Sequence, residues 1–176
     1  MEFEWINSLV VSGARDGSMA IWDLNTGQSL HQFQGHNGPV AKICFYSDGV
    51  NQNLIISSGL KDGILSIHDM RTHQVVKKER VHQGAINMLE TSMSSLIITG
   101  SADKTVKKFD ILNSCKPIGV MNTTDAVFSG TVVQNLAICG CGDGNVLAMD
   151  LDQNKCLWGY GADEKGAVHC VKTTED

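Results

Sequence analysis

The chain has 176 residues, of which 42% are hydrophobic and 19% are charged. These proportions provide enough apolar side chains for a core and exclude a highly charged, disordered polymer. The net charge of −5 argues against a general nucleic-acid surface, because such a surface needs a positive field to displace counterions from phosphate. No apolar run approaches the length of a membrane span, and the first residues are acidic where a secretory signal is basic. We therefore expect a cytoplasmic or nuclear protein that is not secreted.

One stretch of sequence recurs in register along the whole chain. Its first copy runs from Val11 to Leu24, and the later copies end at Asp69-Met70, Asp110-Ile111 and Asp150-Leu151. The period of roughly forty residues predicts a stacked array or a propeller. We expect a single domain with units at approximately 1–34, 35–80, 81–121 and 122–162, followed by a partial unit at 163–176.

Each copy predicts two strands that are joined by a tight turn. The first strand is aliphatic and ends in glycine: Leu9–Gly13, Ile55–Gly59, Leu96–Gly100 and Leu136–Gly140. An aspartate follows in the turn, and the next position calls for a positive φ; its occupants are Gly17, Gly63, Lys104 and Gly144. The second strand carries apolar columns on both faces, so it needs cover from neighbouring sheets on both sides.

Lys108 stands out in the second strand of the third copy. The matching residues in the other copies are Ile21, Ile67 and Ala148, all of them apolar. Lys108 either marks a contact or extends its apolar stem until the ammonium reaches solvent, as lysines on apolar surfaces often do. We expect the second arrangement.

The recurring motifs resemble those of the WD-repeat family of β-propellers. Trp22-Asp23 is the dipeptide for which that family is named, and Gly35-His36 is the matching glycine–histidine pair. The resemblance covers nearly the whole chain. It implies an all-β propeller of about four blades, which we expect to be an incomplete arc or part of a larger propeller.

The resemblance also implies a buried hydrogen-bond network in each blade, linking a loop histidine, a turn aspartate, a strand hydroxyl and a ring on the next strand. The residues at the matching positions are Ser12, Asp16 and Trp22; His36, Ser58 and Asp62, with His68 in place of tryptophan; and His82, Thr99 and Asp103, with Phe109. We interpret these residues as structural. A catalytic pairing of His36 with Asp62 is disfavoured because His82 and Asp103 repeat it.

The leading functional hypothesis is a non-enzymatic scaffold or adaptor within a multiprotein complex. Residues just after each loop histidine and just before each turn aspartate share one rim, where variable side chains contact other proteins or peptides. The candidate partner contacts are Arg15, Lys61, Asn37 and Gln83. Open sheet edges also favour homo-oligomers or a larger assembly. We expect no cofactor and no metal.

Three other functions stay open at this point. A narrower form of the leading hypothesis is a substrate-recognition subunit of a ubiquitin ligase. A second is a small enzyme that uses Cys44 or Cys170 as nucleophile with a histidine as base. A third is a reader of peptides or lipid headgroups that uses the basic connection from Lys77 to Arg80. The cysteines lack the paired spacing of zinc sites and the density of a disulfide framework.

Overall fold

The computed structural model describes residues 2–4, 8–46, 53–92, 96–110, 116–161 and 166–173. Parts of the expected final unit, 163–165 and 174–176, lie outside this range. Within it, the regular structure consists of β-strands in four-stranded antiparallel sheets. The predicted all-β class is confirmed. None of the described residues belongs to a helix that could cross a membrane.

The strands of each sheet are paired in the order of the sequence, as a meander. The first sheet contains β1 (Glu2–Glu4), β2 (Leu9–Gly13), β3 (Ser18–Asp23) and β4 (Gln28–Gln34). The second contains β5 (Val40–Tyr46), β6 (Leu54–Gly59), β7 (Ile64–Asp69) and β8 (Gln74–Arg80). The third contains β9 (Ile86–Thr91), β10 (Ile97–Ser101), β11 (Thr105–Phe109) and β12 (Pro117–Asn122). The fourth contains β13 (Val127–Val133), β14 (Leu136–Cys141), β15 (Asn145–Asp150) and β16 (Lys155–Gly161).

The sheets fall into two compact units, Met1–Ala85 and Ile86–Asp176. The core of the first unit combines residues from its two sheets: Val11, Met19, Ile21, Ile43 and Ile55. The core of the second unit does the same with a larger set, which includes Met88, Ile98, Val106, Met121, Val127, Leu147 and Met149. Burying an aliphatic side chain of this size contributes about 1.5–3 kcal/mol. The central strands therefore have apolar residues on both faces because each face is covered.

The turns between the second and third strands have the predicted positive φ. The φ angles are 89° at Gly17, 63° at Gly63, 65° at Lys104 and 87° at Gly144. At Gly17 a Cβ atom would overlap the carbonyl of His36, and at Gly63 it would overlap the carbonyl of His82. Glycine at these two positions is thus required by the close approach of the next connection as well as by the backbone angle.

A valine packs onto the glycine near the end of the second strand in three sheets. A Cβ on the glycine would lie 2.7 Å from Val40 Cγ1 at Gly13, 2.7 Å from Val127 Cγ1 at Gly100 and 2.6 Å from Val168 Cγ1 at Gly140. Val40 and Val127 begin the first strand of the following sheet. Val168 holds the same position against the fourth sheet, where its amide donates to the Cys141 carbonyl at 3.0 Å.

Lys108 is buried, contrary to our expectation from the sequence that it reaches solvent. Its side chain is 8% exposed, and its Nζ donates to the main-chain carbonyl of Leu151, itself buried in the turn after β15. The expectation was wrong because a single sequence does not show that this carbonyl lies within reach of the lysine stem. A buried carbonyl needs a donor, and Lys108 supplies it.

The outer strand of the fourth sheet differs from that of the third. Met121 on β12 pairs with Val106, and Tyr160 on β16 occupies the same register opposite Val146. Met121 is 3% exposed, whereas Tyr160 is 70% exposed. Leu157 and Trp158 of β16 are also exposed. The fourth sheet thus presents large apolar side chains to solvent along its outer strand.

Candidate functional site

The network in the first sheet divides into two separate contacts. Trp22 Nε1 donates to Ser12 Oγ at 2.8 Å. Asp16 lies in the exposed turn, where its Oδ1 accepts from the Ser18 amide at 2.9 Å and from Ser18 Oγ at 2.6 Å. The hydrogen bonds from Ser18 lower the pKa of Asp16. Asp16 therefore closes its own turn, and the indole–hydroxyl pair links the two strands.

In the second sheet a hydroxyl between the two histidines belongs to Ser57, one residue before the predicted Ser58. Ser57 Oγ lies 2.9 Å from His36 Nε2 and 3.3 Å from His68 Nε2. Ser57 pairs with Ser66 as Ser12 pairs with Ala20, so the turn that leads to Asp62 is one residue longer than the turn of the first sheet. Aligning Gly13 with Gly59 therefore matches Ser12 to Ser58, one residue away from the serine that contacts the histidines. Successive strand residues point to opposite faces, so Ser58 faces away from this network.

Burial governs the charge of the two histidines. It lowers the pKa of His68 to about 4, and it also lowers the pKa of His36 despite the attraction of the Asp62 carboxylate. The 3.7 Å between His36 Nδ1 and Asp62 Oδ2 is too long for a hydrogen bond. Among the described residues, His36 Nδ1, His68 Nδ1 and Ser66 Oγ have no hydrogen-bond partner. Both imidazoles are therefore neutral at pH 7 and inaccessible to a substrate, which favours a structural role.

The third set of network residues stays a prediction. His82 is buried in the connection after β8. Thr99 Oγ1 donates to the Lys107 carbonyl at 3.5 Å, a long contact. Asp103 Oδ1 accepts from the Thr105 amide at 3.2 Å and from Thr105 Oγ1 at 2.6 Å. Asp103 thus closes its own turn in the same way as Asp16.

The four candidate partner contacts are all exposed and all lie in the first unit. They occupy four connecting segments, 14–17, 35–39, 60–63 and 81–85, which we call the rim of the first unit. Arg15 is in the β2–β3 turn, Asn37 in the β4–β5 connection, Lys61 in the β6–β7 turn and Gln83 in the β8–β9 connection. The side chains come from both sheets of this unit.

Backbone hydrogen bonds join each segment of this rim to the next. Gly17 O accepts from the amides of Gly35 and His36 at 3.0 and 3.1 Å, and Ala14 O accepts from the amide of Val40 at 3.1 Å. Pro39 O accepts from the Leu60 amide at 2.8 Å. Gly63 O accepts from the amides of the two residues that precede Gln83, at 2.9 and 3.1 Å. The structure therefore brings the four predicted residues onto one continuous, hydrogen-bonded edge.

Phe128, which lies next to the β14–β15 turn, and its neighbour His169 were not among the candidates from the sequence. Phe128 is 40% exposed, and its ring contacts His169 edge-on with the centroids 5.3 Å apart. Phe128 occupies a β-bulge at the start of β13, which turns its side chain out of the regular strand alternation. The sequence signal for Phe128 was an aromatic residue at the repeat position that Ala41 and Asn87 occupy in the preceding sheets.

The alternative chemistries find little support in the geometry. The candidate nucleophile Cys44 is buried on β5, where a substrate cannot reach it. Burial also raises the pKa of the Cys139 thiol to about 12, so that thiol does not suit a nucleophile. Cys170 is exposed, but the adjacent His169 packs against Phe128. In the part of the chain that the structure describes, no cluster of three or more His, Cys, Asp or Glu side chains could hold a metal ion.

The basic connection is partly engaged within the protein. Lys77 Nζ lies 3.9 Å from Glu79 Oε2, and Arg80 Nε donates to the His82 carbonyl at 3.3 Å. The Glu79 carboxylate offsets part of the positive charge that this stretch offers to an anionic surface. No described contact favours a lipid-headgroup reader or a ubiquitin-ligase subunit over other roles.

Each sheet is a four-stranded meander, and backbone hydrogen bonds join its turns to the connections that follow. This arrangement defines the class of the protein, a repeat of β-sheets of the propeller-blade type. Residues 27–69 match the model of the family described as WD domain, G-beta repeat. The chain is therefore similar to WD-repeat proteins at residues 27–69, and its four-stranded sheets are consistent with WD-repeat propeller blades, as the motifs predict. The matched repeat covers β4 of the first sheet and β5 to β7 of the second, so one sequence repeat spans two sheets. WD repeats serve in general as protein-interaction adaptors and scaffolds.

The fold is similar to that of a solved structure, the computationally designed Ika8 protein. The two chains are 23% identical, with a TM-score of 0.83 over 98% of this chain. The aligned region covers 52% of the Ika8 chain, so this chain spans about half of that length. The similarity supports the blade architecture.

Proposed function

We propose that the chain is a non-enzymatic adaptor that binds protein or peptide partners at the rim of the first unit. The observation that carries this proposal is the run of backbone hydrogen bonds that holds Arg15, Asn37, Lys61 and Gln83 exposed on one edge. Because these bonds fix the backbone before a partner arrives, little conformational entropy is lost on binding. The free thiols Cys44, Cys139, Cys141, Cys156 and Cys170 support a reducing compartment, the cytoplasm or nucleus.

Site-specific crosslinking tests the rim directly. A photoreactive benzoyl-phenylalanine at Asn37 should form discrete adducts with partner proteins in extract from cells that express the protein. The matched control carries the same group at Gln28, which is exposed on β4 but lies at the opposite end of the strand. Adducts of equal yield from Gln28 would show that the rim is not the binding surface.

Charge reversal adds a second arm to this experiment. Arg15→Glu combined with Lys61→Glu should weaken capture at Asn37 about tenfold or more, because rim charges govern association with a complementary partner. The thermal unfolding midpoint should not change, since both side chains are exposed. Undiminished capture by this double variant would refute the proposal.

A further inference from the structure

The carboxylates on the rim of the first unit are engaged by their own turns. Asp16 Oδ1 accepts two hydrogen bonds from Ser18. Asp62 Oδ1 accepts from the Ile64 amide at 3.0 Å, and its Oδ2 faces the ring of His36. These contacts hold both carboxylates against their own turns.

The cations on the same rim, Arg15 and Lys61, are exposed. Arg15 and Lys61 form no hydrogen bond or ion pair with any residue that the structure describes. Arg15 follows Ala14, whose carbonyl accepts from the Val40 amide. Lys61 follows Leu60, whose amide donates to the Pro39 carbonyl. The two cations therefore flank the segment that carries Asn37.

A third cation extends this group. Lys42 lies just past a bulge in β5 and is exposed, also without an ion pair to a described residue. Met88 and Ser129, the residues that follow the corresponding bulges in β9 and β13, are buried. Of these three positions, the one in the second sheet holds an exposed lysine. It lies next to the 35–39 segment, which Arg15 and Lys61 flank.

We infer that the partner segment of this rim is an acidic peptide, held by Arg15, Lys42 and Lys61 with Asn37 between them. This inference rests on the proposed function and names the chemistry of its partner. Because the chain carries a net charge of −5, binding of an acidic segment depends on local groups of cations such as this one. Exposed ion pairs contribute at most about 1 kcal/mol each, so several must act together.

Fluorescence anisotropy with labelled peptides tests the inference on the full chain. The probe is a fluorescein-labelled peptide of alternating Asp and Ser, and its comparators replace Asp by Asn or by Lys. The acidic peptide should bind at low salt and weaken several-fold as the screening length falls from about 30 Å at 0.01 M to about 8 Å at 0.15 M salt. Equal or tighter binding of the Asn or Lys peptide would overturn the acidic class.

Charge-reversal variants locate the binding. Arg15→Glu with Lys61→Glu should weaken the acidic peptide about tenfold or more, and Lys42→Glu should weaken it further. The control, Lys77→Glu with Lys155→Glu, makes the same change in net charge at residues outside the four rim segments and should stay within about twofold. If the control weakens binding equally, the acidic peptide responds to net charge alone and the inference fails.

The peptide and crosslinking experiments fail in different ways. Rim-dependent adducts at Asn37 without selective binding of the acidic peptide would overturn the inference and leave the proposed function standing. Loss of rim dependence in both experiments would overturn both.

Discussion

At the scale of single residues, Gly17 and Gly27 separate backbone strain from steric overlap. Both have positive φ, at 89° and 67°, but a Cβ at Gly27 meets nothing within 4 Å while one at Gly17 overlaps the His36 carbonyl. We expect Gly27→Ala to lower the free energy of unfolding by about 1 kcal/mol, the usual cost of a left-handed L residue. Gly17→Ala should cost at least about 3 kcal/mol, because the backbone of the β4–β5 connection must move.

Urea unfolding of the two glycine variants measures this difference. Both substitutions restrict the unfolded chain equally, so the contrast reports on the folded state. Equal losses would mean that the connection yields readily, and the rim would then be less rigid than its hydrogen bonds indicate.

Lys108 offers a second test at the residue scale. Lys108→Met keeps the apolar stem but removes the donor to the buried Leu151 carbonyl. We expect a loss of about 1–3 kcal/mol of unfolding free energy, the cost of leaving a buried carbonyl unpaired. Lys155→Met, at an exposed position on β16, is the control and should change stability by less than about 0.5 kcal/mol. A neutral Lys108→Met would show that another donor takes over.

At the scale of one element, the network of the second sheet makes stability depend on pH. The pKa of His68 is lowered to about 4, whereas an imidazole in the unfolded chain has an ordinary pKa of 6.5. The unfolded state therefore binds more protons between these values. The contribution of His68 to stability should be constant well above pH 6.5 and fall by up to about 3 kcal/mol as the pH drops toward 4. His36, whose pKa is lowered in the same direction, adds to the loss.

The chain itself suggests the control for the pH experiment. Phe109 holds in the third sheet the place that His68 holds in the second, opposite Ile97 and Ile55 respectively. His68→Phe should reduce the slope of stability against pH between 6.5 and 4, measured by urea unfolding at each pH. An unchanged slope would assign the proton uptake to other groups.

Much of the fold could be predicted because strands and turns depend on local sequence. Alternating apolar columns gave the strands, and the turn glycines gave the positive φ, which even Lys104 adopts. The Ser57 hydroxyl could not be assigned, because one inserted turn residue leaves the Ser-Gly motif intact but reverses which face each side chain takes. Lys108 and Phe128 depend on a distant carbonyl and on a bulge, neither of which is local information.

At the scale of the whole molecule, β16 is an outer strand with little protection against self-association. It is exposed throughout and carries Trp158 and Tyr160 with one lysine at its first position, whereas β8 carries Lys77 and Lys78 and β12 begins at Pro117. Charges and prolines on an edge strand oppose pairing with a second chain. We expect the unsubstituted protein to self-associate through β16 as its concentration rises.

Sedimentation equilibrium tests the association. Trp158→Lys with Tyr160→Lys should lower the average mass at high concentration, because two charges oppose edge pairing and remove apolar area. The control, Ile118→Lys with Val120→Lys, changes two exposed residues of β12 and should leave the mass unchanged. A parent chain that is monomeric at every concentration would contradict this prediction.

The main-chain hydrogen bonds that join the rim segments have a consequence for how such a surface can diversify. Carbonyls of Ala14, Gly17, Pro39 and Gly63 accept from amides of the neighbouring segments and hold the path of the chain, and the outward side chains take no part in those bonds. Single substitutions of Arg15, Asn37 or Lys61 therefore leave the backbone hydrogen bonds of the rim intact. New recognition can be acquired by swapping side chains on an unchanged frame, which makes this edge a ready template for engineered binders.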